Sequence, residues 1–230
     1  MKNLLAAIAS LILLASPASA QLRVMKRTEL SAPVTLGPGQ GAILVSFRRP
    51  NDISKNTAAA LAFARYDLNA RDLVLQPKDA KKRGDTTTYW VEVDSIDKKL
   101  TSEFHLMLVS AGDYVFFGAT PGIKMVTNTF CLGAPTFHVN AGEVVYLGDI
   151  TPYSRRVDGK WIIGMAYTSH PEDARNALTA QPALLSALHT ADIRNEATYG
   201  CYGQAMTAYA VPGAPALDPP TKPAETAAAH

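Results

Sequence analysis

The sequence predicts an all-β fold, an antiparallel β-sandwich followed by short C-terminal helices and a disordered tail. Three observations carry this. Short runs rich in β-branched and aromatic residues recur along the chain, separated by glycine-rich and charged turns. Helical patterning occurs only late, after residue 168. One glycine-led phrase is also written twice: residues 111–119 read AGDYVFFGA and residues 141–149 read AGEVVYLGD.

The chain has 230 residues and a net charge of +2 at pH 7. Residues 1–20, MKNLLAAIASLILLASPASA, have the parts of a secretory signal peptide: Lys2, an apolar stretch from Leu4 to Ala15, and the small-x-small site Ala18-Ser19-Ala20. Cleavage after Ala20 would make Gln21 the first mature residue and place the protein in the periplasm or outside the cell. The apolar stretch is shorter than the roughly 20 residues a spanning helix needs. No later run is longer, so a membrane-spanning protein is not expected. Residues 21–210 have the length of a single domain. Lys2 supplies one unit of the net charge, and the near balance of the remainder argues against nucleic acid or an anionic membrane surface as partner.

The strands follow in order. LGPGQG at 36–41 opens into AILVSF, where Ile43, Val45 and Phe47 alternate. A phosphate-cradling loop would follow a strand and begin a helix, so these glycines are read as a turn. Ala60–Tyr66 alternates over its whole length, and Arg71–Leu75 is brief. The charged turn KDAKKRGD at 78–85 leads to Thr86–Val93, TTTYWVEV. Glu103–Val109 places Phe104, Leu106 and Leu108 on one side, which assigns His105 to the solvent side. In the repeated phrase, Gly112 and Gly142 suit positive φ or a bulge. Asp113 and Glu143 then begin two strands as solvated charges, in equivalent places of one sheet system. Asp158-Gly159 is a strong hairpin signal, pairing Tyr153–Val157 with Lys160–Tyr167.

Near the tip of that hairpin cluster Arg155, Arg156 and Lys160, candidate binding-loop residues for an anionic envelope polymer. Such charges also serve simply to solvate an exposed strand. A helical segment is expected near 171–190. Ser169 is its candidate cap, Pro171 sits in its first turn, and Glu172 and Asp173 face the positive end of the dipole. Pro182 opens a second helix, and Leu184, Leu185 and Leu188 form a stripe suited to packing on the sheet. From Val211 the chain turns proline- and alanine-rich, and 211–230 is expected to be disordered.

Cys131 and Cys201 are the two cysteines. In an oxidising compartment an even pair favours a structural disulfide over free thiols. The competing reading makes one of them a nucleophile, with His138 or His170 as base. The sequence contains no G-x-S-x-G elbow, no zinc-ligand spacing, no dinucleotide fingerprint and no P-loop. No catalytic residue, cofactor or metal is therefore assigned.

The text from Leu108 to Thr120, Cys131, Phe137-His138-Val139 and the second phrase resembles exported bacterial β-sandwich proteins, including PEGA-like and carboxypeptidase-regulatory-like modules. Gly112, Tyr114, Gly142, Tyr146 and Gly148 carry the likeness. The resemblance implies an immunoglobulin- or transthyretin-like sandwich and a noncatalytic role in envelope contact. The leading expectation is thus a noncatalytic module that binds an envelope protein or polysaccharide. The alternatives are an exported hydrolase with an acid-residue or Cys/His site assembled in space, and an assembly subunit that donates a strand. Oligomeric state is left open.

Overall fold

Fourteen consecutive residues, Val144–Val157, form one strand in a computed structural model of the chain, which describes residues 33–48, 60–94, 102–120, 128–201 and 205–219. The expected signal peptide lies outside the described residues. In chain order the strands are β1 (Gln40–Arg48), β2 (Ala60–Asp67), β3 (Asp72–Leu73), β4 (Trp90–Asp94), β5 (Ser102–Ser110), β6 (Gly112–Thr120), β7 (Asn128–Thr129) and β8 (Ala134–Val139). There follow β9 (Val144–Val157), β10 (Lys160–Thr168), α1 (Pro171–Ala177), α2 (Pro182–Ser186), β11 (Leu188–Thr190), β12 (Arg194–Ala197) and β13 (Ala205–Met206).

The fold is an all-β sandwich of two sheets. The first has the order β10-β9-β1-β5, with β11 also on β9. The second has the order β12-β8-β6-β2-β3, with β4 on β2 and the short β7 and β13 at one side. Most pairs are antiparallel, but β1 with β9, β11 with β9, and β13 with β7 run parallel. The Asp158-Gly159 hairpin forms as expected, both residues having positive φ.

Alternation sends the two parities of β1 into two different layers. Ile43, Val45 and Phe47 face the second sheet, where Phe63, Phe116 and Phe137 meet them in the main core. Ala42 and Leu44 face the other way, onto a second cluster with Phe104, Leu106, Ala174, Leu178 and Leu184. The helices therefore cover the outer face of the first sheet, which explains why AILVSF is apolar on both parities. Among the described residues no helix is long and apolar enough to cross a membrane.

Several expectations are corrected here. His105 does not face solvent: it is fully buried, with Glu103 Oε2 3.3 Å from its Nε2. Alternation correctly separated it from Phe104 and Leu106, but those residues face the helices, so the opposite parity faces the inter-sheet core. The repeated phrase does not mark equivalent places in one sheet, because β6 lies in the second sheet and β9 in the first. Both turns instead grip the start of β1, where Ala111 N donates to Gly39 O and Gly142 N to Gln40 O. His170, not Ser169, is the N-cap of α1, and its side chain makes no cap bond. Leu188 leaves the helical stripe and pairs with Val144 in β11.

The tail also differs from expectation over its first residues. Val211 is buried, and Leu217 packs against the main core. Asn195 holds this segment: its amide nitrogen donates to Val211 O and Ala214 O, and its side-chain oxygen accepts from Val211 N. One buried amide thus orders a stretch whose own composition lacks the apolar surface to do so. Residues 220–230 lie outside the described residues.

Candidate functional site

Cys131 and Cys201 form a disulfide with Cα atoms 5.3 Å apart. Neither sulfur is then available as a thiolate, so the cysteine-nucleophile alternative is excluded. The hairpin residues are placed by register: Arg155 opposite Ile162, Arg156 opposite Trp161, and Lys160 opposite Val157. Arg156 is exposed, with its Nε donating to Gly159 O. The side chains of Arg155 and Lys160 lie outside the described set.

Each of the four described histidines lies beside a carboxylate: His105 with Glu103, His138 with Asp113, His170 with Asp149 and His189 with Glu143. Three of these acids lie in the repeated phrase: Asp113, Glu143 and Asp149. Asp113 meets His138 Nδ1 at 2.7 Å, His138 Nε2 meets Asn140 Oδ1 at 3.0 Å, and Asn140 Nδ2 donates to Glu143 Oε2 at 2.8 Å. This chain ties the ends of both sheets together across the β8–β9 turn. Among the described residues no group of three or more His, Cys, Asp or Glu is arranged to hold a metal ion.

The Asp149 cluster is made by one glycine. Ser46 opposes Asp149 while Leu44 opposes Tyr146, so β9 carries one residue more than β1 at this point. Gly148, at φ +103, takes up the extra residue, and a Cβ there would lie 2.6 Å from the Tyr167 ring. Tyr146 and Asp149, three apart, consequently point to the same face. Tyr146 OH donates to Asp149 Oδ1 at 2.9 Å, His170 N donates to Tyr146 OH, and His170 Nδ1 meets Asp149 Oδ2. Burial pushes the Tyr146 phenol up, which keeps it a donor. A carboxylate orienting a half-exposed imidazole is two-thirds of a catalytic triad. Among the described hydrogen bonds, His170 has no hydroxyl or thiol on its Nε2. What the cluster visibly does is fasten the start of α1 to the first sheet.

A different feature has the shape of a binding site. The same edge of β2 is shared by two strands. β4 pairs with Ala60–Ala64, and β3 pairs with Tyr66 and Asp67. The changeover is at Arg65, whose N donates to Tyr89 O and whose O accepts from Val74 N. Beyond it the two strands part and leave a groove of about 360 Å³ on the outer face of the second sheet. Ala64 and Phe117 form its floor, Tyr89 and Trp90 one wall, and Leu73 and Leu75 the other. Ala64 is too small to fill the gap opposite Trp90. The indole leans on Phe117 edge to face, with centroids 4.5 Å apart, yet remains 46% exposed, and Leu75 is 65% exposed. Large apolar groups so placed mark interaction sites.

The Tyr89 wall is held from below. Asp85 accepts from Thr87 N at 2.9 Å and from Tyr89 OH at 2.7 Å. The Thr87 hydroxyl, then the Tyr89 hydroxyl, then the Thr87 backbone hold the Asp85 carboxyl at about 2, well below the usual carboxylate range. A depressed folded-state value means that the contribution is fully present above the unfolded value near 4. It is lost as pH falls through about 2. A carbon-13 titration of the Asp85 carboxyl should therefore show a midpoint near 2 with no change between pH 5 and 8; a midpoint near 4 would remove the wall's anchor.

Sequence reading assigned TTTYWVEV to a strand but did not single out Trp90. The signal was present, because Trp90 shares a parity with Glu92 and Asp94, an aromatic ring on an otherwise polar face.

No family model matches the chain, and no curated protein matches it. A crystal structure of a candidate cell adhesion protein from Bacteroides fragilis overlaps it at 7% identity and a TM-score of 0.27. The overlap takes in 57% of this chain and 46% of that one, so the chain spans under half the length of that protein. Neither fold nor role is transferred at that level of similarity.

Proposed function

We propose that the chain is a noncatalytic exported module that holds an extended segment of an envelope protein in the Trp90 groove. The observation that carries this is the groove itself, an open apolar cleft with an exposed indole wall. Its chemistry favours a protein segment over a polysaccharide. Sugar hydroxyls need polar partners, but the lining is mainly aliphatic and aromatic, and the Tyr89 hydroxyl is already donated to Asp85. Glu92 and Asp94 are exposed and continue the outward parity of Trp90 along β4. The fitting partner therefore carries an apolar anchor with basic residues two and four positions away, the strand repeat. Export is supported by the sequence of residues 1–20 and by the disulfide. The resemblance to exported β-sandwich modules supplies the same expectation. A hydrolase reading has one observation in its favour, the Asp149–His170 pair, which lacks a nucleophile among the described residues.

The test is to pan a display library of 12-residue peptides on the protein. Enriched peptides should combine an apolar anchor with neighbouring Lys or Arg and change tryptophan fluorescence. They should bind Trp90→Ala and Leu75→Asp about tenfold or more weakly, as loss of a buried anchor requires. Peptides indifferent to Trp90 would overturn the reading. Soluble glycan fragments that quench Trp90, with no peptide doing so, would replace it with the polysaccharide reading.

A further inference from the structure

The second sheet carries another concavity, of about 540 Å³, lined by Leu132, Gly133, Glu196, Thr198, Tyr209 and the alanines beside it. It is separate from the Trp90 groove. Thr198 lines it, whereas the next residue, Tyr199, stacks on Phe117 at the groove floor. We propose that this concavity is a site for a lysine side chain of a partner protein, with Glu196 receiving the ammonium.

Two independent observations meet here. The first is the backbone of Glu196, at φ +71. A non-glycine residue in this region is uncommon, and glutamate is not among the types that tolerate it well. The cause is visible in the register: Arg194 opposes Thr136 and Ala197 opposes Ala134, so three steps on β12 meet two on β8. Asn195 is locked inward by its side-chain bonds to the 211–214 segment. Its N donates to Pro215 O, and its O accepts from Leu217 N. Glu196 is thereby turned out to the surface in a conformation that glycine would adopt without strain. An outlier of this kind motivates a search for what its side chain does.

The second observation is the lining. Glu196 is the ionisable carboxylate of a concavity whose other walls are Leu132, Tyr209, Ala208 and Ala210. Leu132 is 61% exposed, a large apolar group at the rim of a turn, where water gives it nothing. A long aliphatic stem ending in a compact cation matches this pairing. The stem lies along Leu132 and the alanines, and the ammonium reaches the carboxylate. The single negative charge fixes the sign of the ligand, and the apolar walls require the stem.

The probes are Nα-acetyl-lysine amide and its uncharged counterpart Nα-acetyl-norleucine amide, titrated into the nitrogen-15-labelled full chain. The lysine probe should give saturable amide shifts at Thr198, Ala208 and Ala210. The norleucine probe, and Glu196→Gln with the lysine probe, should bind about tenfold or more weakly. Glu196→Asp, which keeps the charge, should retain binding. The spectrum of Glu196→Gln away from the site should match the wild type, reporting an intact fold. Equal binding of the two probes, undiminished binding by Glu196→Gln, or no saturable shift with either probe would each overturn the assignment. None of these outcomes depends on Trp90, so a failed groove would not be mistaken for a failed lysine site.

Discussion

Removing the Cys131–Cys201 bridge is expected to lower stability by about 4 kcal/mol, the chain-entropy value for a loop of this length. The two cysteines are 70 residues apart in sequence, so the bridge strongly restricts the unfolded chain. At roughly 2–4 °C per kcal/mol for a domain of this size, the melting temperature should fall by roughly 8–16 °C. The folded state adds a local consequence. Tyr199 N donates to Cys131 O, Leu132 N to Thr207 O, Thr207 N to Thr129 O, and Tyr209 N to Gly133 O. The bridge therefore anchors the strip made by residues 199–201 and 205–209 along the β7–β8 turn, where few long strands help. The measurement is a urea titration of the oxidised protein, the reduced protein and Cys131→Ala/Cys201→Ala, with thiols counted in each. An unchanged midpoint after verified reduction would show that the strip is held without sulfur. The variant and the reduced protein should agree, because Cys131 is buried and alanine leaves no unsatisfied polar atom there.

What could be read from sequence was what local chemistry decides. Alternation, the Asp158-Gly159 turn and the paired cysteines each act over a few residues or through one covalent bond, and each gave the right element. Features that depend on distant chain were not legible. His105 was placed on the correct parity and the wrong side, because no local pattern says whether a sheet face meets water or a helix layer. Tyr146 and Asp149, three apart, would alternate to opposite faces of a regular strand; the extra residue at Gly148 brings them together, and a bulge shows only in register against the partner strand. The tail beyond Val211 has the composition of a disordered segment, yet Asn195, 16 residues before it, satisfies its backbone. Trp90 lines a groove because β3 and β4 part at Arg65, and nothing near Trp90 in sequence encodes the parting.

Phe63→Ala is expected to cost about 3–5 kcal/mol, the range for deleting a fully buried phenylalanine from a packed core. Phe63 has no exposed surface and meets two rings nearly at right angles, Phe116 at 5.1 Å and Phe137 at 5.7 Å between centroids. Phe116 and Phe137 meet each other at 5.7 Å, and Tyr114 stacks on Phe137 at 5.9 Å. The three phenylalanines come from β2, β6 and β8, so one side chain links three strands of the second sheet and faces Val45 and Met107 in the same core. Phe63→Leu keeps most of the volume and should cost about 1.5 kcal/mol or less. Urea midpoints for the two variants separate lost volume from lost ring geometry. A Phe63→Ala cost under about 1 kcal/mol would mean that the sheets do not pack on this cluster. The same substitution bears on the groove, because Ala64 and Phe117, its floor, are the chain neighbours of Phe63 and Phe116. Inward rings hold those strands flat beneath the outward site. Peptide binding measured well below the unfolding midpoint should therefore weaken in Phe63→Ala while Trp90 is untouched, and far less in Phe63→Leu.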